Sequence, residues 1–232
     1  MNPPGGDIGA RQLVFDLGGR PALGREDFLV APPNEAAVAW IDLWPDWPAP
    51  TIAVFGPAGS GKSHLAAVFQ SRSGARALSI ARLGAMGIGE LTAVAPAAVL
   101  DLGGEAGCTD AAQERALFHL MNLVAERRGS LLLVARSAPA RWPVALADLR
   151  SRLGAVPAIG IAPPDDMLIR ALLVKLFADK QLRVGEEVVR YIADRIERSF
   201  EAARAVVDRI DQAALRGQRG ITVPFVRAFF DA

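Results

Sequence analysis

The segment GPAGSGKS, residues 56–63, combines a glycine-rich stretch with a lysine and a hydroxyl side chain. It fits G-x-x-x-x-G-K-[ST] at every fixed position, directly after the apolar run TIAVF and at the start of the helical pattern HLAAVF. In such a loop the backbone N–H groups surround phosphate oxygens, the helix N-terminus adds its positive dipole, and Lys62 reaches the β- and γ-phosphates. The sequence therefore predicts a site for ADP or ATP. Its residues are Gly56, Pro57, Ala58, Gly59, Ser60, Gly61, Lys62, Ser63 and His64.

Two oxygen ligands for Mg²⁺ are predicted at this site, the Ser63 hydroxyl and the carboxylate of Asp101, which ends the apolar run AAVLD. Hydrolysing P-loop proteins usually carry a second carboxylate directly after it, which polarises the attacking water. Leu102 stands there instead. Since leucine can neither accept a proton nor orient water, we expect nucleotide binding with slow hydrolysis by the chain alone. Glu105 could substitute only if the turn at 103–104 folds it back.

The elements that must position these residues follow from the apolar pattern. Between residues 51 and 161, short apolar runs alternate with helical patterns, which predicts a parallel sheet covered by helices on both faces. From Pro163 onward only helical patterns remain. The predicted strands are 51–55, 75–80, 97–102, 130–135 and 155–161; the predicted helices are one from Asn34 to Pro45, then 62–72, 111–128, 145–153, 165–180, 186–197, 200–216 and one from Thr222. We therefore expect an arm over residues 1–25, an α/β core over 26–162 and a helical region over 163–232.

Composition narrows the classes of function. The 232 residues carry 26 basic and 25 acidic side chains, a net charge of +1, which argues against a large non-specific nucleic-acid footprint. The sequence has neither a long uncharged apolar stretch nor the features of a secretion signal, so we expect no membrane partner. Cys108 is the only cysteine, which excludes an intrachain disulfide and favours a cytoplasmic protein. Its surroundings offer no activating partner, and we interpret it as an unreactive thiol.

Several segments resemble the DnaA-related family of AAA+ proteins and, within it, the shorter Hda branch. DFLVAPPNEAAV, residues 27–38, resembles the adenine-side segment of the family, and GKSHL, residues 61–65, matches its P-loop. Residues 112–139 resemble the helix that leads into the sensor strand, and DLRSRL, residues 148–153, resembles the block with the arginine finger. The resemblance implies a five-stranded AAA+ core followed by an all-α lid, residues 163–232.

The resemblance also implies a catalytic residue. Arg152 would project into the nucleotide site of a neighbouring subunit, where a guanidinium stabilises the charge that spreads over the γ-phosphoryl group in the transition state. An alternative is that Arg150 and Arg152 form a solvated helix end, because arginines there also interact well with the helix dipole.

The expected nucleotide sensors depart from the family pattern. At the end of the sensor strand only Arg136 or Ser137 could contact phosphate, and in the lid Glu201 stands where an arginine is expected. Arg204 follows one helical turn later and could reach the phosphates instead. These departures weaken self-hydrolysis more than they weaken binding.

The arm contains QLVFDL, residues 12–17, which resembles short peptides that bind the sliding clamp of DNA polymerase III (its β subunit). Gln12 would form hydrogen bonds at the mouth of a pocket while Leu13, Phe15 and Leu17 fill apolar subsites. The alternative is that Phe15 and Leu17 pack on the core.

The function implied by the resemblance is regulation of replication initiation. A clamp-bound regulator of this kind promotes hydrolysis of ATP bound to DnaA and so inactivates the initiator. DnaA and the clamp are the expected partners, and formation of a homodimer is left open. We expect no sequence-specific DNA binding, since the residues after Thr222 form at most one short helix with little basic clustering. The rival functions are a free-standing P-loop ATPase and a DnaA-like helicase loader.

Overall fold

The computed structural model describes residues 29–87, 90, 96–103, 108, 110–217 and 220–230. Within them a five-stranded parallel sheet has the order β2-β3-β4-β1-β5. Its strands are β1 (Thr51–Phe55), β2 (Arg76–Ser79), β3 (Ala97–Asp101), β4 (Ser130–Ala135) and β5 (Ala158–Gly160). The predicted parallel sheet is confirmed.

The described helices of the core are α1 (Glu35–Asp42), α2 (Lys62–Ser73), α3 (Ile80–Ala85), α4 (Ala111–Glu126) and α5 (Ala147–Ala155), with a 3₁₀ turn at Pro139–Arg141. Those of the lid are α6 (Asp166–Asp179), α7 (Glu186–Ala193), α8 (Phe200–Gly217) and α9 (Val223–Arg227). Helix α3 was not predicted. The apolar run 75–80 stops being a strand at Ser79, whose hydroxyl accepts a hydrogen bond from the Arg82 N–H (3.3 Å) and so begins the helix. Strand β5 is shorter than predicted because α5 continues to Ala155.

Two apolar clusters cover the two faces of the sheet. Along β4, Leu131 and Leu133 belong to a cluster with α4 and α5, whereas Leu132 and Val134 belong to a cluster with α1 and α2. This alternation explains why the strand is apolar throughout, since both of its faces are buried. The second cluster includes an aromatic corner in which the Trp47 ring stacks on Phe69 with centroids 4.8 Å apart.

The lid has an apolar cluster of its own, formed by α6 to α9. Lys180 at the end of α6 pairs with Asp208 (3.0 Å) and Asp211 (2.9 Å) of α8, and Arg198 pairs with Asp166 (2.6 Å) at the start of α6. These ion pairs fix α8 against α6. None of the helices in the described ranges is both long and apolar enough to span a bilayer.

Candidate nucleotide site

The predicted site lies at the carboxyl edge of the sheet, where ligands bind in open α/β folds. Strand β4 runs between β1 and β3, so its end stands beside both the P-loop and Asp101. The Gly56 N–H donates to the Ala135 carbonyl (3.2 Å), and Asp101 is paired in register with Val134. Three strand ends thus bring the P-loop, Asp101 and Arg136 to one edge.

The P-loop backbone has the geometry that its glycines allow. Gly59 (φ 69°) and Gly61 (φ 94°) are left-handed, a conformation that disfavours side chains, and Gly61 directly precedes α2. The Lys62 ammonium donates to the Pro57 carbonyl and to the Ser60 hydroxyl (3.4 Å), so it lies over its own loop. Burial lowers the pKa of Lys62, the positive charge of Arg136 lowers it further, and Asp101 opposes both effects.

The lid meets the P-loop at the start of α8. The Phe200 N–H donates to the Gly59 carbonyl (3.0 Å), and the Phe200 ring lies against Gly61. A Cβ atom on Gly59 would come within 2.3 Å of the Ser199 Cβ, so no side chain fits between the loop and the lid. Ser199 also accepts a hydrogen bond from the Ala202 N–H (3.0 Å), which caps α8 at this junction.

A cavity of about 450 Å³ lies between the P-loop and α8. Its walls include Gly59, residues 61–64, Glu201 and Arg204. Among the described residues the buried Arg204 Nε has no hydrogen-bond partner, and an anionic ligand in the cavity would supply one. The structure therefore places Arg204 at one cavity with Lys62, Ser63 and His64 of the P-loop segment. Pro57 and Ala58 are exposed at the tip of the loop.

The residues predicted for Mg²⁺ fit a hard cation, since both offer oxygen ligands at the carboxyl edge. Ser63 is exposed in the first turn of α2, and the Asp101 carboxylate is exposed and accepts the Gly103 N–H (2.8 Å). No group of three or more His, Cys, Asp or Glu side chains suited to a metal occurs among the described residues. Magnesium usually relies on one or two protein ligands and substrate phosphates, so two ligands suffice.

Leu102 contributes to the core rather than to the cavity. Its side chain is 2% exposed within the apolar cluster that covers α4, and its N–H donates to the Val134 carbonyl (3.0 Å). A carboxylate at this position would be buried among apolar side chains. Glu105, the proposed substitute, lies outside the described residues, as do Gln12, Leu13, Phe15 and Leu17 of the arm.

Arg152 is not brought to the P-loop of its own chain. It is exposed on α5, its guanidinium carbon lies 5.2 Å from the centre of the Phe118 ring, and it lines a hollow with Thr51 and Pro157. Thr51 begins β1, so Arg152 lies at the amino edge of the sheet. The five residues of β1, which rise ~3.3 Å each, separate this edge from the P-loop.

Glu114 is a residue that the sequence reasoning missed. Its side chain on α4 is 6% exposed, and its carboxylate accepts the N–H groups of Ala145 (2.9 Å) and Leu146 (2.8 Å), directly before α5. Its spacing of three and seven residues from the buried Leu117 and Met121 was the available signal, because it places a carboxylate on the core face of the helix.

Comparisons with known proteins agree with this geometry. Residues 165–230 match the family model described as the Hda lid domain. The chain is similar to the crystal structure of domain III of the replication initiation protein DnaA from Thermotoga maritima (15% identity, TM-score 0.74, 92% of this chain and 99% of that one). It is also similar to AMPPCP-bound DnaA from Aquifex aeolicus (17%, 0.70, 85% and 68%) and to a RuvB variant from Thermotoga maritima (15%, 0.66, 85% and 67%). The described residues therefore share the fold of domain III of DnaA, and residues 165–230 are similar to the Hda lid domain.

Proposed function

We propose that this chain binds ADP or ATP with Mg²⁺ at the P-loop and, bound to the sliding clamp, supplies Arg152 to the ATP held by DnaA. Hydrolysis of that ATP would leave DnaA inactive and limit initiation of replication. The observation that carries the proposal is the position of Arg152, which is exposed at the sheet edge opposite to the nucleotide cavity.

An arginine at that edge is suited to act on another subunit. Because the strands separate it from its own P-loop, it does not assist hydrolysis in its own chain. Arg150, two residues earlier, donates through Nε (2.9 Å) and a terminal nitrogen (2.6 Å) to the Val144 carbonyl. Arg150 therefore has a structural partner, whereas among the described residues the guanidinium of Arg152 lies only against the face of Phe118.

The nucleotide bound by the chain itself has a different role in this proposal. Lys62 and Arg204 would bind its phosphates, and Ser63 and Asp101 would hold Mg²⁺, which supplies charge neutralisation when bound. Since Leu102 cannot activate water, the chain keeps its nucleotide and uses it to hold the lid against the core. The reaction takes place on the partner.

The remaining parts of the proposal concern organisation and place of action. Residues 1–25 form an arm whose segment 12–17 binds the clamp, residues 26–162 form the core and residues 163–232 form the lid. Clamp, initiator and regulator would meet in the cytoplasm. Whether two copies also form a homodimer is decided by measuring the mass of the purified chain in solution.

The decisive experiment measures hydrolysis of ATP bound to DnaA in the presence of clamp-loaded DNA. We expect the chain to accelerate hydrolysis and Arg152→Ala to remove the acceleration, because an arginine finger supplied in trans contributes about 10³- to 10⁵-fold in rate. The variant should still bind nucleotide and clamp. Arg183→Ala, which removes an exposed arginine of the lid, is the matched control and should retain full activity.

Retained acceleration in Arg152→Ala would refute the finger. Rapid ATP turnover by the chain without DnaA would favour a free-standing ATPase instead. A parallel pull-down with clamp, DnaA and replicative helicase separates the remaining rival, because a helicase loader would retain the helicase and not the clamp.

A further inference from the structure

A groove of about 380 Å³ lies between α6 and α7 of the lid and shares no lining residue with the nucleotide cavity. Its walls include Ala171 and Val174 of α6, and Val184 and Val189 on the side of α7. Val174 is 55% exposed, and Met167, seven residues earlier on the same side of α6, is 66% exposed. Exposed apolar side chains that continue an apolar groove form a patch that another apolar segment can cover.

The charged groups at the groove leave one cation without a described partner. Arg170 lines the groove and pairs with Asp194 (3.5 Å). Arg190 lines it from α7, and no hydrogen bond or ion pair joins its guanidinium to another described residue. Glu186, one turn before Arg190, is the acidic residue of the lining. The groove therefore suits a mainly apolar segment that also carries a carboxylate.

The arm joins the described chain beside this helix pair. Leu29 and Ala31 pack against the apolar cluster of the lid, and the Pro33 carbonyl accepts the Ala162 N–H (3.0 Å), four residues before α6 begins. The 11 residues 18–28 separate the segment QLVFDL from Leu29. An extended chain of that length spans at most about 40 Å, whereas the 14 residues of α6 are only ~21 Å long. The segment is therefore within reach of the groove.

The residue types of this segment match the groove. In an extended chain alternate side chains lie on one face, so Leu13, Phe15 and Leu17 would form an apolar edge that fits against the valines. Asp16 falls on the other face, where its carboxylate would pair with the Arg190 guanidinium at the rim.

We infer that QLVFDL docks in the lid groove of its own chain, so that the lid and the sliding clamp compete for the same segment. Leu13, Phe15 and Leu17 cannot fill the groove and the subsites of the clamp at once. The free chain therefore keeps these side chains covered, and the clamp releases the groove when it takes the segment. The competition, though not the docking, rests on the proposed clamp tether.

The test measures how fast a thiol-specific reagent labels Val174→Cys in the full chain. Cys108, the only natural cysteine, is buried, so the labelling reports the introduced thiol. A segment with a Kd of about 0.1 mM at an effective concentration of about 1 mM is docked about 90% of the time. We therefore expect labelling about 10-fold slower than in the same variant with Leu13, Phe15 and Leu17 all replaced by alanine. Excess clamp should raise the slow rate to that of the altered arm.

Leu215→Cys is the matched control, because Leu215 on α8 is as exposed (56%) as Val174 and does not line the groove. Its labelling rate should be the same with either arm, and a misfolded arm variant would reveal itself by raising this rate too. Equal rates for Val174→Cys with the two arms would overturn the inference. Protection that falls when the chain is diluted would also overturn it, by assigning the groove to a second copy.

The proposed tether fails or stands separately from the docking. Protection by the arm with no response to clamp would refute the tether and the competition while supporting the docking. Clamp binding by a chain whose arm gives no protection would refute the docking and leave the tether in place.

Discussion

Neighbouring arginines on α5 differ in what their guanidinium groups contact. Arg150 is held by the carbonyls of Val144 and Ala145, whereas Arg152 lies exposed beside Phe118. The sequence pattern could not separate a solvated pair from a finger, since both residues have the same type and stand near the same helix end. The difference arises from the fold of the segment before α5, whose Val144 and Ala145 carbonyls accept hydrogen bonds from Arg150.

Cys108 gives a prediction that concerns a single residue. Burial raises the pKa of its thiol to about 12, and the negative charges of Glu114 and Asp110 add to the effect. Because the thiolate is the reactive form, the folded protein should resist a thiol-specific reagent at neutral pH and react fully once unfolded in urea. The absorbance of the product released by the reagent measures the reaction of the folded protein and that of the unfolded protein. Rapid stoichiometric labelling of the native chain would show that the thiol is accessible.

At the scale of elements, α4 holds α5 at two points one helical turn apart. Glu114 accepts the N–H groups of Ala145 and Leu146, and Phe118 lies under Arg152. The carboxylate does for this segment what a capping side chain does at a helix start, but from a different helix. The position of Arg152 therefore depends on α4.

Replacing Glu114 by alanine tests this dependence. The change leaves two buried N–H groups without partners, and we expect the free energy of unfolding to fall by about 1–3 kcal/mol. Hydrogen exchange should accelerate over residues 142–153 while the P-loop region is unaffected. Glu126→Ala, at the exposed end of the same helix, serves as control and should leave both measurements at their wild-type values. Unchanged exchange over 142–153 would show that α5 is held by other contacts.

Part of the fold and of the candidate site could be predicted from the sequence. The P-loop, the five strands and the lid helices follow local rules, namely fixed spacing, apolar runs and helical periodicity. Helix α3 was missed because Ile80 prolongs the apolar run of β2. The helix begins where the Ser79 hydroxyl accepts one hydrogen bond from the Arg82 N–H, and the apolar pattern does not report such a cap. Glu114 was missed because its partners lie 31 and 32 residues away in the chain, a separation that periodicity does not report.

At the scale of the whole molecule, the lid and core meet directly at the P-loop, through Phe200 and Gly59. A ligand in the adjoining cavity would touch both parts at once, and we expect nucleotide bound at the proposed site to affect their relative position. The proposed arm would attach the chain to the sliding clamp. Such tethering raises the local concentration of the chain near partners bound to DNA.

The arm gives a prediction that is independent of the nucleotide site. Replacing Gln12 and Leu13 together by alanine should abolish co-elution with the sliding clamp, because the polar contact and one apolar anchor are lost together. ADP binding should stay at its wild-type value, since the P-loop begins at Gly56. Clamp binding that survives the double substitution would reject residues 12–17 as the tether.

The placement of Arg152 and the P-loop at opposite edges of one sheet gives the molecule two unlike ends. A contact that delivers Arg152 to the phosphates of a neighbour joins one kind of end to the other, and where such contacts repeat in one direction along a row of subunits they are heterologous. Such contacts run head to tail and leave one end of each kind open in any linear assembly. A single copy that presents its Arg152 end to a row of initiator subunits would therefore act on the terminal subunit of the row and on no other.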